Sequence, residues 1–209
     1  MPPATNSKKE RDVVLLDLGN VVLGIDPRQV FFEWSARSGL PVADFARKWA
    51  LDNAYKEHER GKLNFENYCR TLNERYNLSM SYHDWEIGWN KLWTKPFEKV
   101  IDLFADLKAN YRLCAFSNTN ATHAKDFKDK YPEVLSQFDE LFLSHEIGER
   151  KPDAAGFDLI CKQLNCQPSQ IAFFDDTQEN IDGAKKFGIR ASLTRGEMEV
   201  ASALKSLLL

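Results

Sequence analysis

The sequence predicts an α/β fold: a doubly wound parallel sheet of Rossmann type with a small helical domain inserted after its first strand. Three observations predict it. Short apolar runs alternate with helix-length segments through the C-terminal half, as in Tyr111–Phe116, Glu140–Leu143, Gln170–Phe174 and Arg190–Leu193. An earlier run, Val13-Val14-Leu15-Leu16, leads straight into Asp17 and a Gly-Asn turn. Between these lies a long region, from Asp26-Pro27 to Lys95-Pro96, with no strand signal. Alternating strands and helices build right-handed βαβ units, hence a parallel sheet covered on both faces.

Residues 1–11 are polar and charged and are expected to form a disordered tail, without the apolar segment of a secretory signal. Val13 to Leu16 reads as a strand buried on both faces. Residues 12–25 and 96–209 then form the α/β core and 26–95 a helical cap, with helices expected near 28–38, 43–55, 64–76 and 82–93. Leu40-Pro41 and Asn77-Leu78-Ser79 supply breaks, and Asn64 is an N-cap candidate. Trp85, Trp89 and Trp93 share one helical face, a spacing that serves core packing. In the core, helices are expected near 97–109, 122–130, 153–164, 178–187 and 197–208.

Composition narrows the function. Hydrophobic residues at 43% and aromatics at 12% suffice for a packed core. A net charge of -3 without a Lys/Arg cluster argues against nucleic acid, and no apolar run approaches the ~20 residues of a membrane span. Cys69, Cys114, Cys161 and Cys166 form no CxxC pair and have no histidine at zinc-site spacing, so they read as reduced thiols of a cytoplasmic protein.

The polar residues after successive strands carry the chemistry. Asp17 follows the first strand, Ser117-Asn118-Thr119-Asn120 the second, Glu149-Arg150-Lys151-Pro152-Asp153 lies beyond the third, and Asp175-Asp176 closes the fourth. In a parallel sheet these segments share one edge, where open α/β folds bind ligands. Mg²⁺ takes one or two carboxylates plus substrate phosphate, which Asp17 with Asp176, and Asp175 beside it, can supply. A carboxylate can also attack phosphorus, while Ser117, backbone amides and Lys151 neutralise charge on the phosphoryl oxygens. Each group has a structural alternative. Asp17 can start a turn, Ser117 or Thr119 can cap a helix, Asp153 and Asp176 or Thr177 can be N-caps, and Lys151 can be a surface charge. Capping alone does not explain four such segments at four strand ends in order.

Asp17-Leu18-Gly19-Asn20, Phe116-Ser117-Asn118-Thr119-Asn120, Arg150-Lys151-Pro152-Asp153 and Phe174-Asp175-Asp176 with Asn180 resemble the four ordered motifs of the haloacid dehalogenase superfamily. His58-Glu59-Arg60-Gly61 and the Ser-Asn-Thr-Asn stretch resemble its bacterial α-D-glucose-1-phosphate phosphatase branch. The resemblance implies a mobile cap and a Mg²⁺-dependent phosphatase acting on a small phosphate ester such as a hexose 1-phosphate. It makes Asp17 the nucleophile that is phosphorylated and Gly19 a backbone-carbonyl ligand of Mg²⁺. Asp176 becomes the main metal carboxylate, with Asp175 as ligand or support. Ser117 and Asn118 hold the phosphoryl group, Lys151 pairs with phosphate and Asp17, and Asn180 orients water.

One position departs from the pattern. Most phosphatases of the superfamily carry a general-acid Asp two residues after the nucleophile, where this chain has Gly19. The leaving group is therefore expected to be relatively acidic, or water or a cap residue stands in. His58 and Glu59 are candidates, although a cap-surface helix turn also accounts for both. Two rival readings are a 2-haloacid dehalogenase, which needs no metal carboxylates, and a regulatory module that binds phosphate and metal without turnover. Cap closure is expected to hinge at Asp26-Pro27 and Lys95-Pro96.

Overall fold

The structure, a computed structural model, describes residues 12–209, so the expected tail at 1–11 lies outside the described residues. The central strand β1 (Val13–Leu16) is wholly buried, and its β-branched and leucine side chains alternate between two cores. Val14 and Leu16 pack with Phe104, Leu107, Phe127 and Val200 on one face. Val13 and Leu15 pack with Phe116, Phe157, Ile160 and Phe173 on the other. With β2 (Leu23–Ile25), β3 (Trp93–Pro96), β4 (Arg112–Ser117), β5 (Glu140–Leu143), β6 (Ile171–Asp175) and β7 (Arg190–Leu193), the strands form two sheets. The main sheet has the order β5-β4-β1-β6-β7 and is parallel throughout, with Val13 opposite both Arg112 and Ile171. The order reverses at β1, which opens a crevice beyond its carboxyl end.

The second sheet, unforeseen from the sequence, is an antiparallel ribbon of β2 and β3, with Leu23 opposite Pro96 and Ile25 opposite Trp93. Strands of three and four residues containing Gly24 and Pro96 leave too little pattern to read. The ribbon carries five helices: α1 (Pro27–Ser38), α2 (Val42–Lys48), α3 (Asn53–Glu59), α4 (Phe65–Tyr76) and α5 (Tyr82–Trp89). Trp34, Phe45, Tyr68, Leu72, Trp85 and Trp89 form a core of their own among them. Asn64 caps α4 by accepting the Asn67 N–H.

Three helix boundaries differ from expectation. The 43–55 segment divides because Trp49 turns extended and Asp52 caps a new helix, α3, at the Tyr55 N–H. The 82–93 segment ends at Trp89, so Trp85 and Trp89 lie in the helical core while Trp93 sits in β3 against Phe127. The 97–109 segment breaks at Asp102-Leu103. No described helix is long and apolar enough to cross a membrane, and no disulfide forms among the described residues.

Candidate active site

The carboxyl ends of β1, β4 and β6 and the loop holding Lys151 enclose a cavity of about 300 Å³ beneath the helices. Lys151 is 1% exposed. Its ammonium donates to Asp17 Oδ1 at 2.6 Å, Asp175 Oδ2 at 2.7 Å and the Phe116 carbonyl at 2.7 Å. All three N–H groups are thereby engaged, so a contact from Lys151 to phosphate requires exchange of one of them. Burial alone lowers the lysine's pKa, but the Asp17 and Asp175 carboxylates outweigh it and hold the ammonium above its ordinary range. Asp17 is shifted upward, by burial first and by Asp175 and Asp176, against the pull of Lys151.

Asp175 and Asp176 face different ways, as successive strand-end residues do. Asp175 is fully buried and accepts from Lys151, from the Thr177 N–H at 2.8 Å and from Asn180 Nδ2 at 3.0 Å. The expectation of Asp175 as a direct metal ligand is corrected on this ground: its oxygens are already occupied by donors. Asn180 holds Asp175 with its amide nitrogen. Asp176 borders the cavity with Asp17 and Gly19. Asn20, in the left-handed region at φ 55, donates to Asp176 Oδ2 at 3.3 Å and accepts the Ile25 N–H at 3.2 Å.

These residues fit a magnesium ion. Three carboxylates against one ammonium leave two negative charges, and Mg²⁺ seeks few carboxylates and several other oxygens. Asp17, Gly19 and Asp176 border one cavity just beyond the ends of the adjacent strands β1 and β6, and their carboxylate and carbonyl oxygens are of the type such an ion takes. No cluster of three or more Asp, Glu, His and Cys side chains is placed to hold a metal among the described residues, in keeping with Asp175 being turned away.

Ser117 and Asn118 both border the cavity. The Asn118 side chain bridges Lys151: its Nδ2 donates to the Lys151 carbonyl at 2.9 Å and its Oδ1 accepts the Lys151 N–H at 2.8 Å, so the expected contact to phosphate falls to its backbone. Neither Ser117 nor Thr119 caps the following helix. Asn120 does, accepting the His123 N–H at 3.0 Å. Thr119 borders the cavity, and its buried hydroxyl has no partner. Asp153 makes no cap bond and accepts from Arg60 at 2.6 Å.

That ion pair belongs to a latch between the helical block and the α/β core. Glu59 is buried, not on a cap surface. It accepts from Arg150 Nε at 2.7 Å, and its carbonyl accepts the Ser144 hydroxyl at 2.6 Å. Burial raises the Glu59 pKa, and Arg150 opposes the shift. Gly61, at φ 71, brings the turn so close to the core that a Cβ would collide with the His145 carbonyl. His58 faces the other way, stacked on Tyr68 with its Nδ1–H donated to the Leu63 carbonyl at 2.7 Å. Burial lowers its pKa. His123 borders the cavity, but burial pushes its pKa down to about 3, so it is no proton carrier near neutrality.

A family model described as haloacid dehalogenase-like hydrolase matches residues 12–188. The chain belongs to the haloacid dehalogenase-like hydrolases. Among proteins similar to this hydrolase is a D-ribitol-5-phosphate phosphatase of Bacteroides thetaiotaomicron. It is 25% identical over 181 residues, which cover 84% of this chain and 87% of that protein. A HAD family enzyme of the same bacterium, crystallised with magnesium and inorganic phosphate, superposes with a TM-score of 0.75 at 22% identity, covering 89% of this chain and 95% of that one. A HAD-like hydrolase of Porphyromonas gingivalis reaches 0.81 at 20% identity, covering 95% and 98%. Sequence reasoning on this hydrolase missed Asn20, Thr119 and the Glu59–Arg150 pair as parts of the site. The adjacency of Arg150 to Lys151 and the turn-forming Gly19-Asn20 were the available signals.

Proposed function

We propose that this chain is a Mg²⁺-dependent phosphatase that hydrolyses a small phosphate monoester through an aspartyl-phosphate at Asp17. The observation that carries the reading is the Asp17 carboxylate at the end of the central strand, held by Lys151 at 2.6 Å in a cavity it shares with Asp176. A carboxylate oxygen of Asp17 attacks phosphorus as the ester P–O bond breaks, and the departing oxyanion takes a proton from water. Water then attacks the acyl phosphate at phosphorus, losing a proton to solvent. The P–O bond to Asp17 breaks, releasing inorganic phosphate and restoring the carboxylate.

Lys151 opposes the upward shift of Asp17 and aims its carboxylate, while Asn118 and Asp175 position Lys151. The Ser117 hydroxyl and the backbone N–H groups of its loop stabilise the equatorial oxygens. Asp17, the Gly19 carbonyl and Asp176 would hold Mg²⁺, which when bound supplies charge neutralisation at the phosphoryl group. The charge balance of the cluster supports this, as does the magnesium and phosphate complex of the similar Bacteroides enzyme. Asp176 beside Asp17 favours phosphoryl transfer over dehalogenation, which has no use for it. Gly19 offers no proton, which favours an acidic leaving group such as the anomeric oxygen of a hexose 1-phosphate over the primary alcohol of ribitol 5-phosphate.

The test is phosphate release from a panel of esters with Mg²⁺ and with chelator, alongside Asp17→Asn. Metal-dependent release abolished by the substitution is expected. Release that survives it would refute the reading.

A further inference from the structure

A second cavity adjoins the site and takes no part in the phosphoryl chemistry. It measures about 180 Å³ and shares Ile25, Leu51, Tyr55, Leu92 and His123 with the active-site cavity, so the two lie side by side. Val30 and Phe31 of α1, Trp49, and Trp89 of α5 supply most of the remaining wall. No Asp, Glu, Asn, Gln, Ser, Thr, Lys or Arg side chain borders it. Of the four bordering side chains with a polar atom, His123 and Trp89 are already engaged. His123 lies between the Trp89 carbonyl at 2.9 Å and the Asn120 amide at 3.2 Å, and Trp89 Nε1 donates to Asn120 Oδ1 at 3.3 Å.

A polyhydroxylated group placed here would leave most of its hydroxyls without partners, each at the cost of a lost water contact. An apolar group instead gains from leaving water, and a dry cavity of about 150 Å³ is enough for benzene. Gly19 points the same way from a separate observation. With no general acid two residues after Asp17, the site suits a leaving group stable as its anion, and a phenol is far more acidic than an alcohol.

We infer that the phosphate ester hydrolysed by this chain is an aryl phosphate whose ring occupies this annex. The inference rests on the phosphatase reading above and names its substrate class. The annex is the chain's own basis for choosing between leaving groups: an anomeric sugar oxygen and a phenol oxygen both tolerate Gly19, but only the phenol's ring matches the walls.

The experiment measures binding to the Mg²⁺-loaded wild-type chain, using phosphonates whose C–P bond cannot be hydrolysed. Calorimetric titrations compare phenylphosphonate with methylphosphonate on the wild type, and both of these with glucose 1-phosphate on Asp17→Asn, where the ester survives. Phenylphosphonate is expected to bind at least about tenfold more tightly than methylphosphonate, and glucose 1-phosphate no better than methylphosphonate. Phe31→Ser and Trp49→Gln, which line only the annex, are each expected to erase the ring's advantage while methylphosphonate affinity persists; that persistence reports a folded site. Equal affinity for the two phosphonates, preference for the sugar phosphate, or a ring advantage that survives both variants would overturn the inference while leaving the phosphatase reading intact. If no phosphorus ligand binds and no ester releases phosphate, both fall together.

Discussion

A lysine with 1% of its surface exposed stays a cation here because two carboxylates and a carbonyl take its three N–H groups. The same crowding acts in reverse on Asp17, whose carboxyl sits above its ordinary range through burial and neighbouring acids. A carboxyl raised in the folded state keeps a proton that the unfolded chain has already released. Without metal, its contribution to stability is therefore lost as pH rises between 3.8 and about 7. Chemical denaturation of the metal-free chain across that window should show this decline, with a shallower slope for Asp17→Asn and a stabilisation by Mg²⁺ that grows with pH. An identical slope in the variant would remove Asp17 as its source. At Gly19 there is room for a side chain: a Cβ would meet Ile25 Cδ1 at 3.5 Å and Asp17 Oδ2 at 3.7 Å, ordinary contacts. Gly19→Asp should then accelerate poor alkyl phosphates by about 10²–10⁴ relative to esters of acidic leaving groups. Equal acceleration of both classes, measured as kcat/KM, would refute the leaving-group argument.

At the level of elements, the turn that ends α3 joins the helical block to the catalytic edge. Glu59 reaches Arg150, the neighbour of Lys151, Arg60 reaches Asp153, and Gly61 passes the His145 backbone without room for a methyl group. Gly61→Ala must displace this turn or strain it by about 1–2 kcal/mol for the left-handed conformation alone. It should raise KM for phosphate esters with a smaller effect on kcat, and lower Tm by several degrees; unchanged kinetics would show that the latch has no part in substrate capture. The sequence made these residues visible as a motif but not as a latch, because their partners lie some ninety positions away, as Arg60 and Asp153 do (|i−j| = 93). The parallel strands were legible because each is a continuous apolar run. The β2–β3 ribbon was not, since its pairing is fixed by the helical block folding back, with the Asp26 N–H bonded to the Leu92 carbonyl at 2.8 Å. Both expected hinges, Asp26-Pro27 and Lys95-Pro96, fall at that ribbon.

For the whole molecule, the β5-β4-β1-β6-β7 order brings residues from opposite ends of the chain to one edge. Asp17 and Lys151, 134 positions apart, become hydrogen-bonded partners. Strand-end position was enough to read Asp17, Ser117, Lys151 and Asp176 as neighbours, and the motif resemblance added Gly19. It was not enough to separate groups that would meet substrate from those that hold other groups in place. Which way the Asn118 amide points, and whether Asp175 or Asp176 faces the cavity, depend on donors such as the Thr177 N–H and the Lys151 backbone. The annex was invisible for a similar reason, since α1, α5 and the α2–α3 connection enclose it jointly.

Everything proposed for this site turns on Asp17 becoming phosphorylated, and acid quenching during turnover detects that species. With Mg²⁺ and an aryl phosphate, mass spectrometry of the quenched chain should find one phosphoryl group on the peptide containing Asp17. The label should disappear when substrate is exhausted and never form in Asp17→Asn. Phosphate release at an undiminished rate with no label on that peptide, or in the Asp17→Asn variant, would exclude the aspartyl-phosphate.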